Sequence, residues 1–207
     1  MDDFQREIDQ AEKRTRRYWF EDGLAEISGG LVFLLVALYL LVDDALRGTA
    51  PGAVFTLAFP VLIVVLGLAG RRMVRAAKDR YVHPRTGFVS FPRRRGHRAA
   101  RAALAFVIAV LFGLLASRAR ILVTWIPALE GGIFAVAFFY LGRKVEILRF
   151  PLEGLLCAIT GVALSAVGLS EDVAAALLFA WLGVVLIAGG GVAFLGYLKR
   201  VPPKEDA

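Results

Sequence analysis

An apolar run near the start of the chain reads LAEISGGLVFLLVALYLLV over residues 24–42, with Glu26 as its one charged residue. At 1.5 Å per helical residue, a run of this length crosses a hydrocarbon core of about 30 Å. The same criterion, applied outward along the chain, gives six candidate spans. Their approximate limits are 23–42, 52–70, 99–117, 121–142, 150–169 and 173–197. The sequence therefore predicts an all-α, polytopic transmembrane helical bundle of six spans.

The composition of the whole chain agrees with a membrane protein. Hydrophobic residues make up 58% of the 207 residues, and the mean hydropathy is +0.65. A soluble domain of this size cannot bury so much apolar surface, whereas a bilayer solvates it. The single cysteine, Cys157, excludes an intramolecular disulfide. The first seventeen residues are too polar for a signal peptide, and we expect none to be cleaved.

Lysine and arginine are distributed unequally between alternate connections. Of the 25 basic residues, 22 lie before the first span, in the loop 71–98 with the adjoining Arg101, in 143–149 and in the tail 199–207. The connections on the other side carry the remaining 3. Because basic residues are retained on the cytoplasmic side, we expect both termini and the basic loop to be cytoplasmic. We expect the protein to lie in the cytoplasmic (inner) membrane.

The N-terminal segment 1–22 has its own helical pattern. Phe4, Ile8 and Ala11 share one face, and charged residues occupy the other. The pattern favours an amphipathic helix along the cytoplasmic interface, or else a solvated basic helix.

The basic loop 71–98 contains a second local pattern. Short β-prone arms around Pro84, Arg85 and Gly87 predict a small hairpin over residues 81–91, followed by Arg93–Arg95. Such a cluster at a membrane surface favours anionic lipid headgroups, and we expect no nucleic-acid binding. The hairpin either packs on the helix ends or docks an unidentified partner protein, with Arg85 as a contact residue.

Four acidic residues lie in or beside predicted spans, and such groups indicate function by default because their burial is costly. Glu130 and Glu26 lie deepest and form the candidate intramembrane polar site. Asp22 and Glu153 lie nearer the cytoplasmic interface and rank second. There they can be hydrated or paired with Arg17 or Arg149, two basic residues that lie close to them in the sequence.

Glu130 has the most informative surroundings in the sequence. Pro127 precedes it and Gly131-Gly132 follows it, so we expect a weakened helix beside an acid near mid-membrane. Transporters build ion and substrate sites in this way. The alternative is a protonated carboxyl hydrogen-bonded to a neighbouring helix. Candidate partners are Glu26, Thr160, Ser28, Tyr140 and water, and the sequence leaves open whether Glu26 and Glu130 share a cavity.

Small residues indicate where helices approach closely. Gly154 with Ala158, Gly161 with Ser165, and Gly189 with Ala193 follow the small-xxx-small pattern. The Gly189–Gly191 triplet predicts a close crossing or a flexible point in the last span. Pro60 predicts a kink in the second.

No catalytic constellation is evident. The two histidines, His83 and His97, both lie in the basic loop, so no predicted span supplies a histidine base. Asp22-Gly23 invites comparison with the CDP-alcohol phosphatidyltransferases, but the further aspartates of that motif are missing, and we reject this family. We therefore expect no catalytic residues, no metal site and no cofactor.

Three segments together resemble a known group of proteins. They are YWFEDGLAEISGGL at 18–31, YVHPRTGFV at 81–89 and LRF at 148–150. The chain resembles a group of bacterial small integral membrane proteins with no assigned activity. The resemblance covers most of the chain and implies a six-span topology, but it assigns no reaction and no functional residue.

Three classes of function remain. The first is a small transporter or permease-like protein that uses Glu130 and Glu26 and forms a homodimer, because six short spans enclose little volume. The second is a membrane accessory or regulatory subunit that docks a cytoplasmic partner through the basic loop and the N-terminal helix. A lipid-modifying enzyme ranks third, because catalytic groups are missing.

Overall fold

The computed structural model describes residue 17, residues 19–82 and residues 124–200, and the regular structure in these ranges is entirely helical. The helices are α1 (Leu24–Ala45), α2 (Ala50–Tyr81), α3 (Ile126–Val145), α4 (Arg149–Val167) and α5 (Glu171–Arg200). Four of them, α1, α3, α4 and α5, are long and apolar enough to cross a bilayer. The prediction of an all-α membrane protein is thus confirmed for the described residues.

Several predicted features lie outside the described residues. They are the span 99–117, most of the N-terminal helix 1–22, the hairpin around Arg85, the basic cluster at 93–98, both histidines and the tail beyond residue 200. The limits of the other five predicted spans agree with the observed helices to within a few residues, except at the C-terminal end of α2.

The second helix is longer than its predicted span, 52–70. It continues to Tyr81 because residues 71–80 contain neither glycine nor proline and are rich in Arg, Ala and Lys, which favour a helix. Its two segments, Ala50–Phe59 and Val61–Tyr81, meet at an angle of 46°. The predicted kink in this helix is therefore observed. If the bent helix is counted as one span, α2 is the fifth span among the described residues.

Local sequence explains how the helices begin and end. Thr49 caps α2, its Oγ1 accepting a hydrogen bond from the Gly52 amide (3.1 Å). Glu146 adopts a left-handed conformation (φ 57°) that ends α3 and makes the tight turn into α4. Gly168, also left-handed, ends α4. Two residues separate it from the start of α5 at Glu171. Helices α3, α4 and α5 are therefore joined by short connections.

The helices pack as two antiparallel pairs. Helix α1 packs most extensively on α5, and α3 on α4, while α4 and α5 connect the pairs and α2 lies along α1. A Cβ atom at Gly30 of α1 would approach the Gly183 carbonyl oxygen of α5 to 2.6 Å. A Cβ atom at Gly154 of α4 would approach the Ala135 carbonyl oxygen of α3 to 3.0 Å. Both pairs thus depend on close backbone contact at small residues.

One end of the bundle collects most of the polar groups. Here α1 and α4 begin and α2, α3 and α5 end, as shown by the buried cluster of Leu24, Val82 and Tyr197. Phe150 of α4 lies between Phe20 (5.6 Å, edge to face) and Phe138 (6.3 Å, stacked). Because the described basic residues of α2, α3, α4 and α5 also lie at this end, we call it the basic end.

The opposite end is held by an exposed contact. Arg47, between α1 and α2, forms an ion pair with Asp172 in the first turn of α5. The hydrogen bond to this carboxylate raises the pKa of the Arg47 guanidinium. Such an exposed pair adds little stability, but it closes the α1–α5 contact at the end opposite the basic end.

Candidate functional site

A buried aspartate, Asp22, lies directly before the turn that leads into α1. Gly23, directly before the helix, has φ 71°, a left-handed conformation that favours glycine. After this turn, Oδ1 of Asp22 accepts a hydrogen bond from the Leu24 amide (3.1 Å). Its Oδ2 forms an ion pair with Nζ of Lys78 from α2, and both side chains are 1% exposed. Asp22 is thus part of the interior of the basic end.

Lys78 connects α2 to the segment before α1. Its Nζ also donates a hydrogen bond to the Trp19 carbonyl oxygen (3.0 Å) and lies 4.6 Å from the centroid of the Trp19 ring. We expected Asp22 to be hydrated or paired with Arg17 or Arg149, and the structure pairs it with Lys78 instead. The reason is the extension of α2, which carries Lys78 back along α1 rather than into a loop.

Glu26 forms the second ion pair of the basic end. It lies one turn after Asp22 on α1 and is 4% exposed. Its Oε1 accepts a hydrogen bond from Nε (2.8 Å) of Arg149, the first residue of α4, and lies 2.7 Å from Nη2 of the same guanidinium. The Nη2 group also donates to the Phe20 carbonyl oxygen. A single guanidinium therefore joins α4 to α1 and to the segment that precedes it.

Glu153 is buried and makes no ion pair with any described residue. It lies one turn after Arg149 on α4, is 4% exposed, and neither of its carboxyl oxygens has a hydrogen-bond partner among the described residues. Gly189 of α5 provides the space, since a Cβ atom there would lie 2.7 Å from Oε1 of Glu153. The second oxygen of Glu26 is equally without a partner in the described ranges. The carboxyl of Glu153 thus occupies the seam between the two helix pairs.

These residues form what we call the charge cluster: Asp22, Glu26, Lys78, Arg149 and Glu153. Asp22 is neutralised by Lys78, and Glu26 by Arg149. Glu153 is left as the third acid without a third base. An isolated carboxylate is costly at low dielectric, so this position favours binding one positive charge, either a proton on the carboxyl or a monovalent cation beside it.

Glu130 lies apart from the charge cluster. Helix α3 begins at Ile126, and Pro127 occupies its first turn, where proline starts a helix rather than interrupting it. Glu130 lies in the second turn of α3, and Trp125, directly before α3, is a turn residue that follows the helical residue Thr124. Its Oε2 is buried and has no hydrogen-bond partner in the described part of the chain.

Packing of α3 on α4 fixes the distance between Glu130 and the charge cluster. The stretch from Pro127 to Gly131 contacts Gly161 of α4. Gly161 lies eight residues beyond Glu153, or about 12 Å along the helix. Glu26 therefore lies in the charge cluster with Glu153 and not beside Glu130. Glu153, which the sequence analysis ranked second, belongs to the candidate site.

Two of the hydroxyl groups considered as partners of Glu130, those of Ser28 and Tyr140, make other contacts. Ser28 donates to the Gly70 carbonyl oxygen (3.2 Å) and so joins α1 to α2. Tyr140 accepts a weak hydrogen bond from Lys144 on its own helix (3.5 Å). Oε2 of Glu130 thus has no hydrogen-bond partner among these hydroxyl groups.

The sequence indicated the three acids of the charge cluster but only one of its two bases, Arg149. Arg149 and Glu153 stand four residues apart, as do Asp22 and Glu26, and this spacing places each pair on one helix face. This spacing could have indicated that a polar turn at the start of α1 faces a polar turn at the start of α4. No comparable signal identifies Lys78, whose role depends on how far α2 continues as a helix.

No group of three or more His, Cys, Asp or Glu residues in the described ranges is arranged to hold a metal ion. Comparisons of the chain with protein-family models, with curated proteins and with solved structures found no match. Functional conclusions therefore depend on the geometry of the charge cluster.

Proposed function

We propose that this protein is a small transporter, of permease-like type, that uses an intramembrane carboxylate site formed by Glu26, Arg149 and Glu153. The observation that carries the proposal is the burial of Glu153 without a counter-ion at the seam between two helix pairs. A carboxyl group in this position costs several kcal/mol in its charged form. Its retention at a helix seam is typical of coupling sites in transporters.

The packing around the site supports movement of one helix pair against the other. Each pair is closely packed internally through glycine, as at Gly30 with Gly183 and at Gly131 with Gly161. Between the pairs, Gly189 leaves a space that Glu153 fills. Transporters alternate access by rocking rigid bundles around a fixed site, and the seam is the place where such movement changes the environment of Glu153.

The proposal includes a topology and a location. We place six spans in a bacterial inner membrane, with both termini and the basic loop in the cytoplasm. The distribution of 22 basic residues against 3 supports this orientation. The convergence of Arg80, Arg143, Lys144, Arg149 and Lys199 at the basic end gives further support. The resemblance to uncharacterised bacterial small integral membrane proteins is retained as part of the same proposal.

Flux measurements in liposomes test the function. Purified protein is reconstituted with an internal pH-sensitive dye, and sodium, potassium and lithium gradients are applied one at a time. We expect proton movement above that of protein-free liposomes, and its loss in Glu153→Gln. Glu171→Gln, at an exposed position on α5, is the matched control and retains the flux. Full activity of Glu153→Gln, or no flux under any gradient, contradicts the proposal.

A second function is favoured by one observation. Helix α2 extends beyond its apolar part as a basic helix in which Arg71, Arg72, Arg75 and Arg80 are exposed. Such a surface suits anionic headgroups or an acidic partner protein, as in a membrane accessory subunit. Under this alternative, Arg85→Ala or loss of residues 1–17 releases a co-purifying protein, while Glu153→Gln has no effect on that association.

A further inference from the structure

We infer that Glu153 is the proton-binding site of the charge cluster and that Arg149 reports its occupancy, pairing with Glu26 when the proton is bound and moving toward Glu153 when it is lost. The inference deepens the proposed function, because it names the proton as the ligand of the same site. Its test measures protonation directly and does not depend on transport.

The first step concerns the donors of Arg149. Its Nε donates to Oε1 of Glu26, which also lies 2.7 Å from Nη2, and Nη2 donates to the Phe20 carbonyl oxygen. Glu153 stands four residues further along the same helix, where an arginine and a glutamate normally interact. Yet neither oxygen of Glu153 receives a hydrogen bond from the described residues. The guanidinium is therefore engaged with Glu26 although a second acid lies within its reach.

The second step concerns the other charged groups near Glu153. From α1, Glu26 acts on it electrostatically, and Asp22 lies one turn away from Glu26. From α2, Lys78 is engaged by Asp22. On α4 itself, the neighbours are Arg149 and the buried thiol of Cys157.

Among the described residues, α3 and α5 bring no charged side chain near the Glu153 carboxyl. Helix α5 contributes Gly189 beside the Glu153 carboxyl. Helix α3 contributes Ala135 and Phe138 beside Gly154, the next residue of α4. If Glu153 were ionised, its buried charge would therefore face the Glu26 carboxylate, and the cation that acts on it among the described residues, Arg149, is already paired with Glu26.

The number of available oxygen ligands distinguishes a proton from a metal ion as the ligand of Glu153. Hard cations in proteins take about six or more oxygen ligands. Among the described residues, the carboxyl oxygens here without a hydrogen-bond partner are the two of Glu153 and Oε2 of Glu26. Gly189 has no side chain, and its carbonyl belongs to the interior of α5. A proton needs a single oxygen, so the neutral carboxylic acid is the form that this environment accommodates.

The last step concerns the response to proton loss. An ionised Glu153 competes with Glu26 for Arg149, which lies on its own helix one turn away. A shift of the guanidinium breaks its hydrogen bond to the Phe20 carbonyl oxygen. Phe20 precedes α1 and packs against Phe150 of α4 (5.6 Å). Proton loss at the seam therefore loosens the contact that joins α4 to the entry of α1.

Infrared spectroscopy of the full chain in lipid tests the inference at neutral pH. A protonated carboxylic acid has a carbonyl band that a carboxylate lacks. Glu130 also has a buried oxygen without a partner, so every protein carries Glu130→Gln to remove its contribution. We expect the band in this background, its loss on adding Glu153→Gln, and its persistence on adding Glu171→Gln.

A second variant tests the role of Arg149. Glu26→Gln removes the carboxylate that holds the guanidinium and leaves Glu153 intact. Arg149 is then free to pair with Glu153, so we expect the carbonyl band to disappear in this variant also. A band that survives either Glu153→Gln or Glu26→Gln overturns the inference. If the bands behave as expected but no flux is found, the proposed function fails and the proton site stands.

Discussion

Lys78 shows at the residue level how burial decides what a charged side chain does. It lies in a sequence of basic residues, and its neighbours Arg75 and Arg80 are exposed, but Lys78 itself is 1% exposed and paired with Asp22. An isolated basic residue at this depth would be costly, and so would an isolated acid. The two residues stabilise the fold only together, and neither could be assigned to the other from the sequence.

A double-mutant cycle tests the coupling of Asp22 and Lys78. Lys78→Met or Asp22→Asn alone leaves one buried charged group without its partner and should lower the free energy of unfolding by about 3–5 kcal/mol. The double variant should lose less than the sum of the two single losses. Unfolding is followed in mild detergent, with Arg75→Met, an exposed change on the same helix, as control. Additive losses would show that the two residues do not interact.

Gly189 and Gly191 provide a matched pair of substitutions. An alanine at Gly189 places Cβ 2.7 Å from the Glu153 carboxyl, whereas Cβ at Gly191 meets nothing within 4 Å. We expect Gly191→Ala to be neutral or stabilising by up to about 1 kcal/mol, because alanine favours a helix. Gly189→Ala should displace Glu153 and weaken its carbonyl band in the Glu130→Gln background. Equal spectra for the two variants would mean that Gly189 does not shape the site.

At the level of helices, hydropathy located the described helices that are long and apolar enough to cross a membrane, because membrane thickness fixes the length of a span. The finer details depend on tertiary structure. The Gly189–Gly191 triplet correctly predicted a close crossing. Only Gly190 makes it, against Gly23 and Glu26, since the rotation of α5 about its axis decides which glycine faces α1.

The α1–α5 contact is tested at Gly30. A Cβ atom there would approach the Gly183 carbonyl oxygen to 2.6 Å and the Ile187 side chain to 2.7 Å. Gly30→Ala should therefore separate the two helices and destabilise the protein by about 1–3 kcal/mol, as overpacking of a close contact does. Thermal unfolding in detergent measures the loss. Gly132→Ala, whose Cβ meets nothing within 4 Å, should unfold like the wild type, and a similar loss in both would refute the packing argument.

At the level of the whole molecule, the charge cluster and the exposed basic residues lie at the same end. Arg143, Lys144, Lys199 and Arg200 surround the end at which Asp22, Glu26 and Glu153 are buried. If basic residues are retained in the cytoplasm, the Glu153 carboxyl lies closer to the cytoplasm than to the outside. A proton that enters from outside must then cross most of the bilayer before it reaches Glu153.

Thiol labelling tests this orientation, because the chain has a single cysteine. Cys157 is buried, and Cys157→Ser gives a background without thiols. Into it we introduce Ser170→Cys, at an exposed connection of the end opposite the basic end, or Leu148→Cys, which is 83% exposed at the basic end.

A membrane-impermeant maleimide added to intact cells should label the Ser170→Cys variant and spare the Leu148→Cys variant. Inside-out vesicles should give the reverse pattern. The two positions lie at opposite ends of the single helix α4, which spans Arg149–Val167, so labelling of both from one side would mean that this helix does not cross the membrane. The reversed pattern in intact cells would place the basic end outside. In that case Glu153 would be loaded with its proton from the external face.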